Sequence, residues 1–110
     1  MRSFDFAIRA IKLYRNLKME FGEHEIAQQI IRSGTSIGAI LREAEFAENR
    51  KDFVHKLYIG LKKANEINYW LELLYAIEYN SKKMFDPTKK DAGEILKMLV
   101  SSVKTIKRSL

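Results

Sequence analysis

The chain has no cysteine, one proline (Pro87), five glycines and two histidines among its 110 residues. Without cysteine there are no disulfides, thiolate metal sites or thiol nucleophiles, and a cytoplasmic location is the default expectation. With so little proline and glycine, few positions interrupt a helix, and no linker composition or repeat divides the chain. One domain over residues 1–110 is expected. No apolar run approaches the ~20 residues that span a bilayer, so no membrane partner is expected. Met1-Arg2-Ser3-Phe4 opens an amphipathic pattern, and no continuous apolar stretch of a signal peptide follows it. No segment alternates with period two between turn residues, so strands are not expected.

Catalytic groups are equally scarce. His24 and His55 fall among helix-surface positions. No Glu-x-x-His pair is present, which removes the di-iron carboxylate pattern. Glu43, Glu66 and Glu72 are the only carboxylates near apolar stripes, with no histidine placed to join them. Gly34-Thr35-Ser36-Ile37-Gly38 lacks the Walker lysine and lies inside a helical pattern. Ser33, Thr35 and Ser36 have no base near them in sequence. The expectation is a protein that is not an enzyme, with no catalytic residue, cofactor or metal site.

What the sequence does contain is helical periodicity. The first helix is predicted over about 3–21, with Ser3 as N-cap and Gly22 as C-cap. Phe6, Ala10, Leu13 and Leu17 form its stripe, widened by Phe4, Ile8 and Ile11. The second helix is predicted over about 23–48. Its apolar and small residues, among them Ile26, Ile31, Gly34, Ile37, Gly38, Ile40, Leu41, Ala44 and Ala47, cover about 200° of the circumference. So wide an arc implies more than one neighbour. Gly34 and Gly38 each cost the helix roughly 1 kcal/mol relative to alanine, which points to close packing there.

The third helix is predicted over about 50–79, or ~45 Å. Asn49 and Asp52 form a capping-box-like pair at its start. Phe53, Leu57, Gly60, Ala64, Leu71 and Leu74 make its main stripe. Ile59, Trp70, Leu73 and Ile77 make a second stripe that contains Glu66. A carboxylate in an apolar stripe needs a partner, and Arg32 is the expected one, within one chain or between chains. Asn80 to Asp86 reads as a polar connector. Asp86 as N-cap and Pro87 at the first helical position start a fourth helix over about 87–109. Leu96, Leu99, Val103, Ile106 and Leu110 repeat 3-4-3-4 as its inner seam. The fold class is therefore all-α, an up-down-up-down antiparallel four-helix bundle.

Charge is distributed unevenly. The formal net charge is +6, from 20 basic and 14 acidic residues. Residues 80–110 carry eight basic side chains against three acidic ones, whereas the rest of the chain is near balance. Lys90, Lys97 and Lys104 sit seven apart, with Arg108 beyond them, roughly opposite the seam. With Lys82 and Lys83 they are the candidate nucleic-acid contacts, suited to sequence-independent phosphate binding. Tyr69 and Trp70, with other aromatics, exceed what one small core requires and suit an interface. Arg32, Gly34, Gly38, Glu43, Glu66, Tyr69 and Trp70 are the candidate structural or interface residues.

Several of these motifs, taken in order, resemble a known family. Phe6-Ala7-Ile8-Arg9 opens the match. Arg32-Ser33-Gly34-Thr35-Ser36-Ile37-Gly38-Ala39 and Glu43-Ala44 follow. Lys51-Asp52-Phe53 with Lys56-Leu57, then Glu66 and Tyr69-Trp70-Leu71-Glu72-Leu73-Leu74, complete it. The pattern is similar to four-helix bundle proteins related to the 23S rRNA intervening-sequence protein. A relative is the accessory variability protein of diversity-generating retroelements. Ile40-Leu41-Arg42-Glu43-Ala44 and Gly60-Leu61-Lys62-Lys63-Ala64 depart from common family wording without threatening the fold. The resemblance implies a homopentamer with RNA or DNA as partner, and a reverse transcriptase or other protein as a further one. The competing expectation is an assembly or adaptor scaffold that binds no nucleic acid.

Overall fold

A computed structural model describes residues 2–77 and 82–108, apart from the side chain of Arg2. Four helices follow one another: α1 (Arg2–Phe21), α2 (Glu25–Ala44), α3 (Arg50–Ala76) and α4 (Lys82–Arg108). Each packs against two others: α1 on α2 and α4, α3 on α2 and α4. The backbones of the diagonal pairs do not come close among the described residues, although their side chains share one core. Consecutive antiparallel neighbours and a closing α1–α4 contact make the expected up-down-up-down bundle, 47 × 22 × 21 Å.

The core is built from one stripe of each helix. Phe6, Ala10, Leu13 and Leu17 of α1 are fully buried, as their spacing predicts. Ala27, Ile30 and Ile37 of α2 meet Leu57, Ala64, Ile67, Leu71 and Leu74 of α3 and Ala92, Ile95, Leu99 and Val103 of α4. The wide arc of α2 is divided between α1 and α3. Phe4 and Ile8, expected to widen the α1 stripe, face outward instead.

Gly34 marks the tightest approach. A Cβ there would lie 2.7 Å from the Cβ of Ala10 and 3.6 Å from the Phe6 ring. Ala10 Cβ is fixed to its backbone and cannot swing away. At Gly38 the nearest atom is the Ser3 carbonyl oxygen at 3.6 Å, ordinary contact. The close packing expected from both glycines is thus concentrated at Gly34.

Helix ends explain most differences from the predicted boundaries. Gly22, at φ 63°, ends α1 in left-handed backbone as expected. Glu23 lies just outside α2, where its carboxylate accepts from the Ile26 N–H at 2.6 Å. Helix α2 stops at Ala44, a turn before the predicted end. Glu45, Phe46 and Ala47 donate to carbonyls three residues back, and Asn49 is fully extended. That geometry serves the next helix: Asn49 Oδ1 accepts from Asp52 N–H at 2.8 Å, and Asp52 Oδ2 accepts from Glu48 N–H at 3.1 Å. The cap of α3 therefore competes with the last turn of α2 and wins.

The predicted start of α4 at Asp86-Pro87 is wrong. The helix begins at Lys82, with Pro87 inside it. Phe85 supplies the reason. It is 4% exposed, joins the core, and stacks on Tyr75 with ring centroids 5.9 Å apart. Burying that ring holds the residues before the proline in helical register. The polar connector predicted over residues 80–86 is thus helical from Lys82. Helix α3 ends at Ala76 with Ile77 as its C-cap, short of the predicted end at Tyr79. Connector residues Asn80 and Ser81 and Leu110 of the seam lie outside the described residues.

These contacts make three stability predictions. Gly93 has open space around its Cβ position, so Gly93→Ala should raise stability by about 0.5–1 kcal/mol through helix propensity. Gly34→Ala should lower it by about 1–3 kcal/mol, since crowding outweighs propensity. Thermal unfolding by circular dichroism reads both, and a stabilised Gly34→Ala would contradict the close approach. At the α3 cap, the hydrogen bond from Lys56 and then the Glu48 N–H hold the Asp52 carboxyl below its usual value. The same bond to Asp52 raises the Lys56 ammonium. The pair's contribution is therefore full at neutral pH, lost as pH falls through the lowered Asp52 value, and lost as pH rises through the raised Lys56 value. Asp52→Asn should be less stable than wild type at pH 7, with the gap closing in strong acid.

Candidate nucleic-acid interface

Helix α4 buries Phe85, Thr88, Ala92, Ile95, Leu99 and Val103 along one side. The opposite side must then face solvent. Lys82, Lys83, Lys90, Lys97, Lys104 and Arg108 are all exposed. Lys97 and Lys104, two turns apart, line one open groove of about 450 Å³ floored by Leu96 and Val100. Lys90 and Arg108 continue the same stripe by helical phase. Lys83 instead turns toward α1, where it lines a smaller groove with Arg9 and Lys12.

Two further α4 lysines are engaged within the bundle. Lys89 Nζ donates to Asn68 Oδ1 at 2.8 Å and lies 3.7 Å from Glu72. Asn68 is buried, and its amide nitrogen donates to the carbonyls of Ala64 and Ala92 at 2.8 and 3.0 Å. That side chain ties α3 to α4 with every contact polar and satisfied. Lys107 sits over the Tyr58 ring, 4.6 Å from its centroid.

The interface candidates divide. Glu66 does not pair with Arg32 within the chain. Its side chain is 49% exposed, with Lys63 Nζ at 3.7 Å, and accepts from the buried Ser33 hydroxyl at 3.3 Å. A carboxylate at the rim of its stripe has no need of a buried cation. Arg32 is exposed on α2. Gly38 and Glu43 border an open groove of about 440 Å³ between α1 and α2. Phe4 and Phe46 stand at this groove, 55% and 83% exposed. Tyr69 is exposed and meets Trp70 edge-on at 5.0 Å. Trp70 packs on the core with its indole N–H buried and without an acceptor among the described residues.

Sequence reasoning missed Arg9 and Lys12 as companions of Lys83. Three apart on α1, the two share a side, but their meeting with Lys83 depends on which helices become neighbours. Phe46, one of the aromatics in excess of what one small core requires, stands at the groove just beyond the end of α2. No cluster of three or more histidines, cysteines or carboxylates is placed to hold a metal among the described residues. No helix among them is long and apolar enough to cross a membrane.

Comparison with known proteins agrees with this architecture. Residues 1–101 match the family model of the 23S rRNA-intervening sequence protein. A crystal structure at 1.70 Å of a protein of unknown function from the S23 ribosomal protein family of Bacteroides thetaiotaomicron VPI-5482 superposes with a TM-score of 0.88. The two share 48% sequence identity over 94% of this chain and 95% of that one. No curated protein matches the sequence. The chain belongs to the 23S rRNA-intervening sequence protein family.

Proposed function

We propose that this member of the 23S rRNA-intervening sequence protein family is a non-enzymatic accessory protein. It self-associates, as a ring of five, and binds RNA or DNA through phosphate contacts. The observation that carries the reading is the outer side of α4. Lys97 and Lys104 share one groove, and Lys90 and Arg108 extend their stripe, while the seam on the other side is buried. Regularly spaced cations on a rigid helix suit a polyanion and carry no base-reading geometry. Five copies would hold about +30 of formal charge and focus the field on one face. The names of the matched family and of the similar structure both refer to ribosomal RNA or the ribosome, and that agrees in kind with such a ligand.

A second reading has its own support. The α1–α2 groove with Phe4 and Phe46 is an exposed apolar feature, and such features serve protein contacts. The protein would then be an assembly or adaptor scaffold, with a reverse transcriptase or another protein as partner and its lysines only solubilising.

Fluorescence anisotropy with a structured RNA and a duplex DNA, at ~50 and ~200 mM salt, separates the two. The first reading predicts affinity falling by orders of magnitude across that range. The Lys97→Ala/Lys104→Ala/Arg108→Ala triple variant should flatten the salt slope by about three units, less any phosphate not contacted. No binding by micromolar protein at low salt would favour the scaffold. Light scattering should give five times the 12.9 kDa chain mass, and a monomeric mass would exclude the ring.

A further inference from the structure

A second cationic feature lies at the N-terminal end of α4, where that helix meets α1. Arg9 and Lys12 of α1 and Lys83 of α4 line one groove of about 180 Å³, whose floor includes Met84 and Pro87. Three cations from two helices far apart in sequence converge on it. Asp91 Oδ2 lies 2.7 Å from Arg9 Nη1. That bond fixes the guanidinium while using only one of its five donors. The Thr88 hydroxyl, also at the groove, donates to the Met84 carbonyl at 2.8 Å. Recognition at this place would therefore fall to the cations.

The arrangement runs against local electrostatics. The first turn of α4 holds Lys82 and Lys83 and no acidic residue. Cations there oppose the positive end of the helix dipole. Lys83 also lies at a groove with two other cations. Both effects are unfavourable by themselves, and an anion in the groove would offset both. Places where a sequence breaks a local rule in this way tend to be functional.

We infer that this groove is a binding site for a phosphomonoester. The lining of the groove holds three cations and no carboxylate. That matches the near-dianionic charge of a phosphate monoester at neutral pH better than the single charge of a phosphodiester. Arg9 supplies a planar, oriented donor set, and Lys12 and Lys83 supply point charges. The inference rests on the nucleic-acid reading for one of its two sources. A strand lying along α4 would place its terminal phosphate here. A free phosphate monoester is the other source of the same chemistry.

The test compares one short single-stranded RNA carrying either a 5′-phosphate or a 5′-hydroxyl, by anisotropy at low salt. Wild-type protein should bind the phosphorylated form about five- to ten-fold tighter. The Lys12→Ala/Lys83→Ala variant should bind both forms equally, with circular dichroism showing an unchanged helix content. Lys97→Ala should weaken both forms alike and preserve their ratio. In parallel, adenosine 5′-monophosphate but not adenosine should raise the melting temperature of wild type, and not of the double variant. This effect without RNA binding would support a free monoester and reject the nucleic-acid reading. Equal affinity for both RNA ends, together with no effect of the mononucleotide, would overturn the inference while leaving salt-dependent RNA binding intact.

Discussion

The near contact between Gly34 and Ala10 sets the separation of α1 from α2, and the rest of the bundle is arranged around that separation. A side chain larger than hydrogen at Gly34 would collide with an atom that cannot move. Phe6 and Ile67 lie just beyond, so the same point brings α1, α2 and α3 to one layer of the core. Ser33, the preceding residue, is buried and uses its hydroxyl to reach Glu66 on α3. A helix that gives up propensity at its centre is repaid by close packing on one flank and a polar tie on the other.

The opposite pair of helices is joined by different means. Between α3 and α4 the central tie is Asn68, whose amide spans two backbone carbonyls while its oxygen takes Lys89. An apolar seam alone permits some sliding of one helix along another. A buried amide with fixed partners does not, because a shifted register leaves donors unpaired in a dry environment. The α1–α4 contact adds the Arg9–Asp91 bridge, which links residues 82 positions apart. Thus the outward cations of α4 stand on a helix whose rotation and register are both set from within.

Features decided by neighbours in sequence were legible before the structure. The stripe Phe6-Ala10-Leu13-Leu17, the glycine end of α1 and the Asn49–Asp52 cap all follow from spacing and residue chemistry. The errors share a form: a contact the pattern did not show, distant or close by, overrode the periodicity. Asp86-Pro87 is a sound helix start by propensity, but Phe85 finds a core that sequence spacing does not reveal. The last turn of α2 is helical by pattern, and the chain abandons it to form the cap of α3. Glu66 reads as trapped in an apolar stripe, yet the stripe's edge is open and Lys63 is nearby. The cations of α4 could be named from the sequence alone. Their company with Arg9 and Lys12 could not, because it depends on which helices become neighbours.

Pro87 gives the first turn of α4 a character unlike the rest of that helix. Having no N–H, it cannot donate to the carbonyl four residues earlier. The turn before it is bonded less well, and one ring, Phe85, anchors it to the core. Such a segment can open by itself without unfolding the bundle. When it opens, Phe85 leaves Tyr75, and Lys83 moves away from Arg9 and Lys12. Any anion held against Lys83 would close that segment, coupling ligand occupancy to the local order of one end of the bundle.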